Sequence, residues 1–149
     1  MNIRKVIQKD TLCLSLTSRD KPAIITELVD LLVASGKITD RKAALKAVLE
    51  REKKMTTGMH HGLAIPHGKT DTVEALYAAV GLIPEGVDFD SQDGEPTRII
   101  ILTISPSHRA GPHIQFLAEL SRLMNREDVR RDVLNAGSVD ELYEILTTR

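Results

Sequence analysis

The chain has a single cysteine, Cys13, in 149 residues, so no disulfide can close within it and a small disulfide-stapled fold is excluded. Cys13 stands in the alternating run Leu12-Cys13-Leu14-Ser15-Leu16. There it is expected to pack as a small buried residue, which fits a reducing cytoplasm. No apolar run approaches the roughly 20 residues that a membrane-spanning helix needs. At the amino terminus, Arg4, Lys5, Lys9 and Asp10 are followed by no long apolar core, so neither a signal peptide nor membrane insertion is expected. An excess of one charge is missing as well. Twenty Lys and Arg face 21 Asp and Glu, a net charge of -1, and the two signs are interleaved, which argues against a nucleic-acid partner. There is no Gly-x-x-x-x-Gly-Lys-Ser/Thr loop or kinase-like glycine loop with which to hold ATP. His-Glu-x-x-His and paired-cysteine spacings are also lacking, so no metal and no cofactor is called for. With no linker, repeat or low-complexity tract, residues 1–149 read as a single domain. A chain of this size buries roughly two thirds of its unfolded surface around one core.

What is present is an alternation of helices and strands. Pro22, following Ser18 and Asp20, suits a first helical turn, and Ile24, Ile25, Leu28, Leu31 and Leu32 then recur at helical spacing until Gly36. Asp40 can cap a second helix with an apolar side of Ala43, Ala44, Leu45, Val48 and Leu49, which places Arg51 and Glu52 near its carboxyl end. Residues 75–83 and 98–105 read as strands. The second carries Ile99-Ile100-Ile101-Leu102, an unbroken apolar run typical of a strand covered on both faces. Pro84-Glu85-Gly86 and Asp93-Gly94-Glu95-Pro96 are turn chemistry, predicting a hairpin-like excursion between these strands. Phe116, Leu117, Leu120, Leu123 and Met124 form a helical core stripe, Glu127 to Leu134 reads as a further helix with a solvated charged face, and Ser138-Val139-Asp140-Glu141 opens a last one with a capping box. The fold class is therefore α/β, a central sheet with helices on both faces.

The segment Thr56-Thr57-Gly58-Met59-His60-His61-Gly62-Leu63-Ala64-Ile65-Pro66-His67-Gly68-Lys69 carries the chemistry. A short apolar strand closes at Ile65 before proline, which leaves His67 at the strand end. Gly58, Gly62 and Gly68 permit positive φ, so that neighbouring N–H groups can converge on an anion. Histidine, with an ordinary pKa of about 6.5, offers an unprotonated ring nitrogen near neutral pH, as a phosphoryl-accepting nucleophile requires.

Arg51-Glu52, Thr56-Thr57-Gly58 and Gly62-Leu63-Ala64-Ile65-Pro66-His67-Gly68 together resemble the signature of the IIA domains of the fructose and mannitol class, type 2, in the bacterial phosphoenolpyruvate-dependent phosphotransferase system (PTS). The resemblance continues through Val87-Asp88-Phe89-Asp90-Ser91 with Gly94 and Pro96, the strand from Thr97 to Ser105, and the helix beginning at His113 with Ile114-Gln115-Phe116. One departure is visible, His60 standing where the family more often has glycine.

The resemblance implies a three-layer α/β sandwich with a mixed sheet. It implies a phosphohistidine carrier, a phosphotransferase component that needs protein partners for turnover. Phospho-HPr is the implied donor and a cysteine on a IIB domain the implied acceptor, serving sugar uptake; in nitrogen-regulatory relatives the phosphorylation state acts by binding other proteins. His67 is then the phosphorylated nucleophile. Arg51 matches the family's arginine and would balance the charge on the transferring group. His113, at a helix start behind Pro112, would hydrogen-bond the phosphoryl oxygens or hold the tautomer of His67. Thr57, Gly58 and Gly68 are the expected phosphate-binding residues, the threonine by its hydroxyl or, equally, only by stabilising the turn. Met59, Leu63, Lys69 and Asp71 are expected to form the docking patch, and His60, His61 and His108 stay outside the catalytic set. Two other readings stand beside this one: a binding module whose histidines are structural, and a metal enzyme using His60, His61, His67 and an acid such as Asp71.

Overall fold

The computed structural model describes residues 2–149. Its frame is a five-stranded mixed sheet made of β1 (Leu12–Cys13), β2 (Leu63–Ala64), β3 (His67–Thr70), β4 (Tyr77–Val87) and β5 (Thr97–Pro106). β4 and β5 form the antiparallel centre, with Val80 opposite Ile101. β1 runs parallel to β4, and β2 and β3 both run parallel to β5 along its other side. Pro66 lies between those two short strands. It has no N–H to give, and its carbonyl accepts from Thr103 at 3.0 Å, so a proline on this sheet edge leaves no donor unpaired.

Alternation along β5 separates two cores. Ile99 and Ile101 pack with Phe116, Leu120, Val129 and Leu142 on one face, while Ile100, Leu102 and Ile104 pack with Ile24, Leu28, Ala44 and Val48 on the other. Helices α1 (Lys21–Ala34) and α2 (Arg41–Lys54) therefore cover one side. Helices α3 (Gly111–Met124), α4 (Glu127–Leu134) and α5 (Val139–Thr148) cover the other. This is the expected sandwich.

Caps end the helices where the sequence places them. The carboxylates of Asp20 and Asp40 accept from Ala23 N and Ala43 N, and Gly36 adopts φ +77° beyond α1. Ser138 accepts from Glu141 N, but the returning carboxylate of Glu141 accepts from Gly137 N, so the capping box is displaced by one residue. Three expectations need correction. Pro84-Glu85-Gly86 is no turn; it continues β4 through an irregularity in register between Leu82 and Val87, and the connection proper is 88–96. Cys13 is half-buried, not buried, because β1 lies at the sheet edge. Leu31 and Leu117 are only partly covered, each standing at the margin of its stripe. Among the described residues no helix is long and apolar enough to cross a membrane.

Candidate phosphoryl-transfer site

His67 opens β3 immediately after Pro66, half-buried, opposite Thr103. Its Nδ1 lies 2.9 Å from the carbonyl oxygen of Ile65. A carbonyl can only accept, so Nδ1 carries the proton and the neutral ring keeps its lone pair on Nε2. Burial lowers the pKa of His67, and the charges of Arg51 and Lys69 lower it further against the opposing influence of the Ile65 bond and Glu52. The neutral ring is thus favoured at neutral pH.

His113, in the first turn of α3, brings its ring centroid to 5.1 Å from that of His67, at an interplanar angle of 43°. It is 5% exposed. Burial, with His67 and Lys69 beside it, pushes its pKa down to about 4, so the second imidazole is neutral as well. Its Nδ1 has no hydrogen-bond partner.

Arg51 stands in the last turn of α2, where one guanidinium nitrogen donates to Met55 O at 2.8 Å. With Ala47, Glu50, Lys54, His67, Gly68 and Lys69 it lines an open cleft of about 400 Å³. Three cations, Arg51, Lys54 and Lys69, therefore border the cleft that His67 enters, against one acid, Glu50. The chemistry suited to such a cleft is the binding and transfer of a dianionic group.

The loop after α2 is held from beneath. The buried carboxylate of Glu52 accepts from Thr57 N at 2.8 Å, Thr57 Oγ1 at 2.5 Å and Lys21 Nζ at 2.9 Å. Lys21 also pairs with Asp90 at 3.0 Å and donates to Thr56 Oγ1 at 3.2 Å. The start of α1, the end of α2, the 56–58 loop and the 88–91 connection are thereby tied to one ammonium. Reading the sequence missed this clamp. The sequence places Glu52 only near the carboxyl end of its helix beside Arg51, and Lys21 is 31 residues away.

Two of the three glycines do not adopt the positive φ that they permit. Of Gly58, Gly62 and Gly68, only Gly62 has positive φ, at +77°. Gly68 lies in β3 where a Cβ would meet Val48 N at 2.8 Å and Ala47 C at 2.9 Å; at Gly58 it would meet Phe89 O at 2.8 Å. Both allow close backbone approach. The hydroxyl proton of Thr57 is committed to Glu52, so its contribution is to the shape of the loop.

Over residues 5–148 the chain matches the family described as the phosphoenolpyruvate-dependent sugar phosphotransferase system, EIIA 2. The chain belongs to this family. It is 40% identical over 126 residues to the fructose-specific EIIA component of Haloferax volcanii, covering 85% of this chain and 82% of that one. To the fructose-specific EIIABC component of Bacillus subtilis it is 36% identical over 146 residues, 98% of this chain but only 23% of the longer relative. Among solved structures, the nitrogen regulatory protein IIA-Ntr of Neisseria meningitidis superposes with a TM-score of 0.87 at 26% identity, covering 97% of this chain and 99% of that one. The mannitol IIA of Escherichia coli, solved in complex with phosphorylated IIB, superposes at 0.81 with 26% identity, covering 96% and 98%.

In this EIIA chain the four residues expected to form the docking patch differ in exposure. Leu63 is buried in the core and Met59 packs against it, while Lys69 and Asp71 are exposed. The exposed large apolar side chains among the described residues are Met55 and Ile114, each 63% exposed. The first follows α2, and the second is the residue after His113. For a metal, no group of three or more His, Cys, Asp or Glu side chains is placed to hold an ion among the described residues.

Proposed function

We propose that this EIIA chain is a phosphohistidine carrier. Nε2 of His67 attacks the phosphorus of the phosphohistidine on HPr; the donor's P–N bond breaks and the donor imidazole leaves with the electron pair. In the second half, the thiolate of a IIB cysteine attacks the same phosphorus, and Nε2 recovers its lone pair. No base is required at His67, because Nδ1 keeps its proton throughout and the Ile65 carbonyl offsets the positive charge that develops on the ring. Arg51 and Lys69 face the transferring group, and neutral His113 is the near donor to its oxygens. Met55 and Ile114 supply the apolar contacts, with the lysines as a polar rim, for transient docking of each partner.

The observation that carries this reading is the 2.9 Å contact from His67 Nδ1 to Ile65 O, which leaves Nε2 as the nucleophile. Identity is 40% to the fructose-specific component of Haloferax volcanii and between 26% and 31% to the nitrogen regulatory proteins. That favours sugar uptake over a regulatory role, with a reducing cytoplasm as the compartment. Incubation with phosphoenolpyruvate, enzyme I and HPr tests it: one acid-labile phosphoryl group on wild type and none on His67→Ala is the expected result.

A further inference from the structure

Among the described residues, three buried side-chain polar atoms have no hydrogen-bond partner: Thr103 Oγ1, Ser105 Oγ and His113 Nδ1. Buried polar groups in native structures are nearly always paired, and one left alone loses its hydration without a replacement. Here all three gather on one side of one strand pair. Residues 103 and 105 continue the odd-numbered row of β5, whose Ile99 and Ile101 face the core that contains α3. Thr103 is the register partner of His67 and Ser105 that of Lys69, and paired strands run about 5 Å apart. His113 reaches the same place from α3, its ring 5.1 Å from His67. Thr103 and Ser105 are each 1% exposed and His113 is 5% exposed, so bulk water does not complete them. The rest of β5 from Ile99 to Ile104 is apolar apart from Thr103. Nothing in the packing of the core explains two hydroxyls where valine and alanine would fit.

Chemically the three atoms are complementary. A hydroxyl can donate to an imidazole lone pair, and a lone pair held on Nδ1 places the remaining ring proton on Nε2. Resting on the phosphohistidine reading above, we propose that Thr103 and Ser105 are positioning residues for phosphoryl transfer: in the phosphorylated protein a β5 hydroxyl donates to Nδ1 of His113, fixing the tautomer whose Nε2–H donates to the phosphoryl oxygens on His67. In the resting state this chain of bonds is open, and the phosphoryl group closes it. The hydroxyls therefore stabilise the phosphorylated form and burden the unphosphorylated one.

The proposal has an unusual sign, which makes it testable by Thr103→Val with Ser105→Ala, against Thr103→Ser as the variant that keeps the hydroxyl. The unphosphorylated double variant is expected to melt at or above the wild-type temperature. With a fixed ratio of phospho-HPr to HPr, its equilibrium ratio of phosphorylated to free protein is expected to fall about tenfold, the effect of one hydrogen bond to a charged acceptor chain. Thr103→Ser should stay near wild type. Nitrogen-15 shifts of the His113 ring, read in phosphorylated wild type, need no variant to fold: the Nε2–H form is expected, and the Nδ1–H form overturns the proposal. An unchanged equilibrium ratio in the double variant overturns it equally. Failure of wild type itself to take up a phosphoryl group would instead refute the carrier reading.

Discussion

The imidazoles of His67 and His113 approach to 5.1 Å, from a strand on one side and the first turn of a helix on the other. Both have pKa values held below the ordinary one, chiefly by burial. Two neutral rings can share a cleft with a phosphoryl dianion as nucleophile and hydrogen-bond donor; two imidazolium rings would repel one another and leave no lone pair free.

This pairing predicts a pH dependence of stability. His113 has its folded pKa near 4 and the unfolded value near 6.5, so below pH 6.5 the unfolded chain binds a proton that the folded chain refuses. Stability falls from about pH 6.5 down to about pH 4, by roughly 3 kcal/mol once complete. Denaturant titrations at several pH values should show this loss in wild type, and His113→Gln should remove most of it. Equal slopes in the two proteins would contradict the shift.

The same logic applies to rate. Because the pKa of His67 is lowered, the pH at which acceptance of a phosphoryl group falls to half should lie below the 6.5 of an ordinary imidazole, since the lone pair on Nε2 survives to lower pH. A rate that halves at pH 6.5 or above would show an imidazole with no such shift.

Arg51→Ala should slow phosphorylation by roughly a hundredfold, the typical loss when one preorganised charge-stabilising donor is removed. Its bond to Met55 O lies at the exposed end of α2, so the melting temperature should move little. Quenched-flow transfer from phospho-HPr, beside a thermal melt, separates the two effects.

Glu52→Ala should be the opposite kind of variant. It strips Lys21 of its buried partner and Thr57 of both its acceptors, and a loss of about 2–3 kcal/mol in unfolding free energy is expected, moderated because the Lys21 side chain keeps 17% exposure. Chemical denaturation measures it directly. A loss below about 0.5 kcal/mol would mean that the clamp is replaced by water.

Much of this could be read before any coordinates. Asp20, Asp40 and Pro22 announce helix starts by local chemistry, and the unbroken run Ile99 to Leu102 announces a strand covered on both faces. The family motif that includes Arg51 and His67 was legible because it lies within about twenty residues of sequence. What escaped depends on distant partners. β3 is four residues long and polar at His67, Lys69 and Thr70, so only its ladder to β5 makes it a strand. Gly68 looked like a site of positive φ because the sequence does not show α2 pressed against it. Pro84 looked like a turn because its place on an irregular stretch of β4 is set by tertiary pairing. The orphaned hydroxyls of Thr103 and Ser105 emerge only when α3 is laid on the sheet.

The most direct test of the carrier account is the mass of the intact protein after incubation with phosphoenolpyruvate, enzyme I and HPr, for wild type and His67→Ala, followed by acid treatment. The account predicts one added phosphoryl group on wild type, lost in acid, and none on the variant, which should remain folded because His67 is half-buried at a sheet edge. Uptake of a phosphoryl group by His67→Ala, or an acid-stable adduct on wild type, would contradict it.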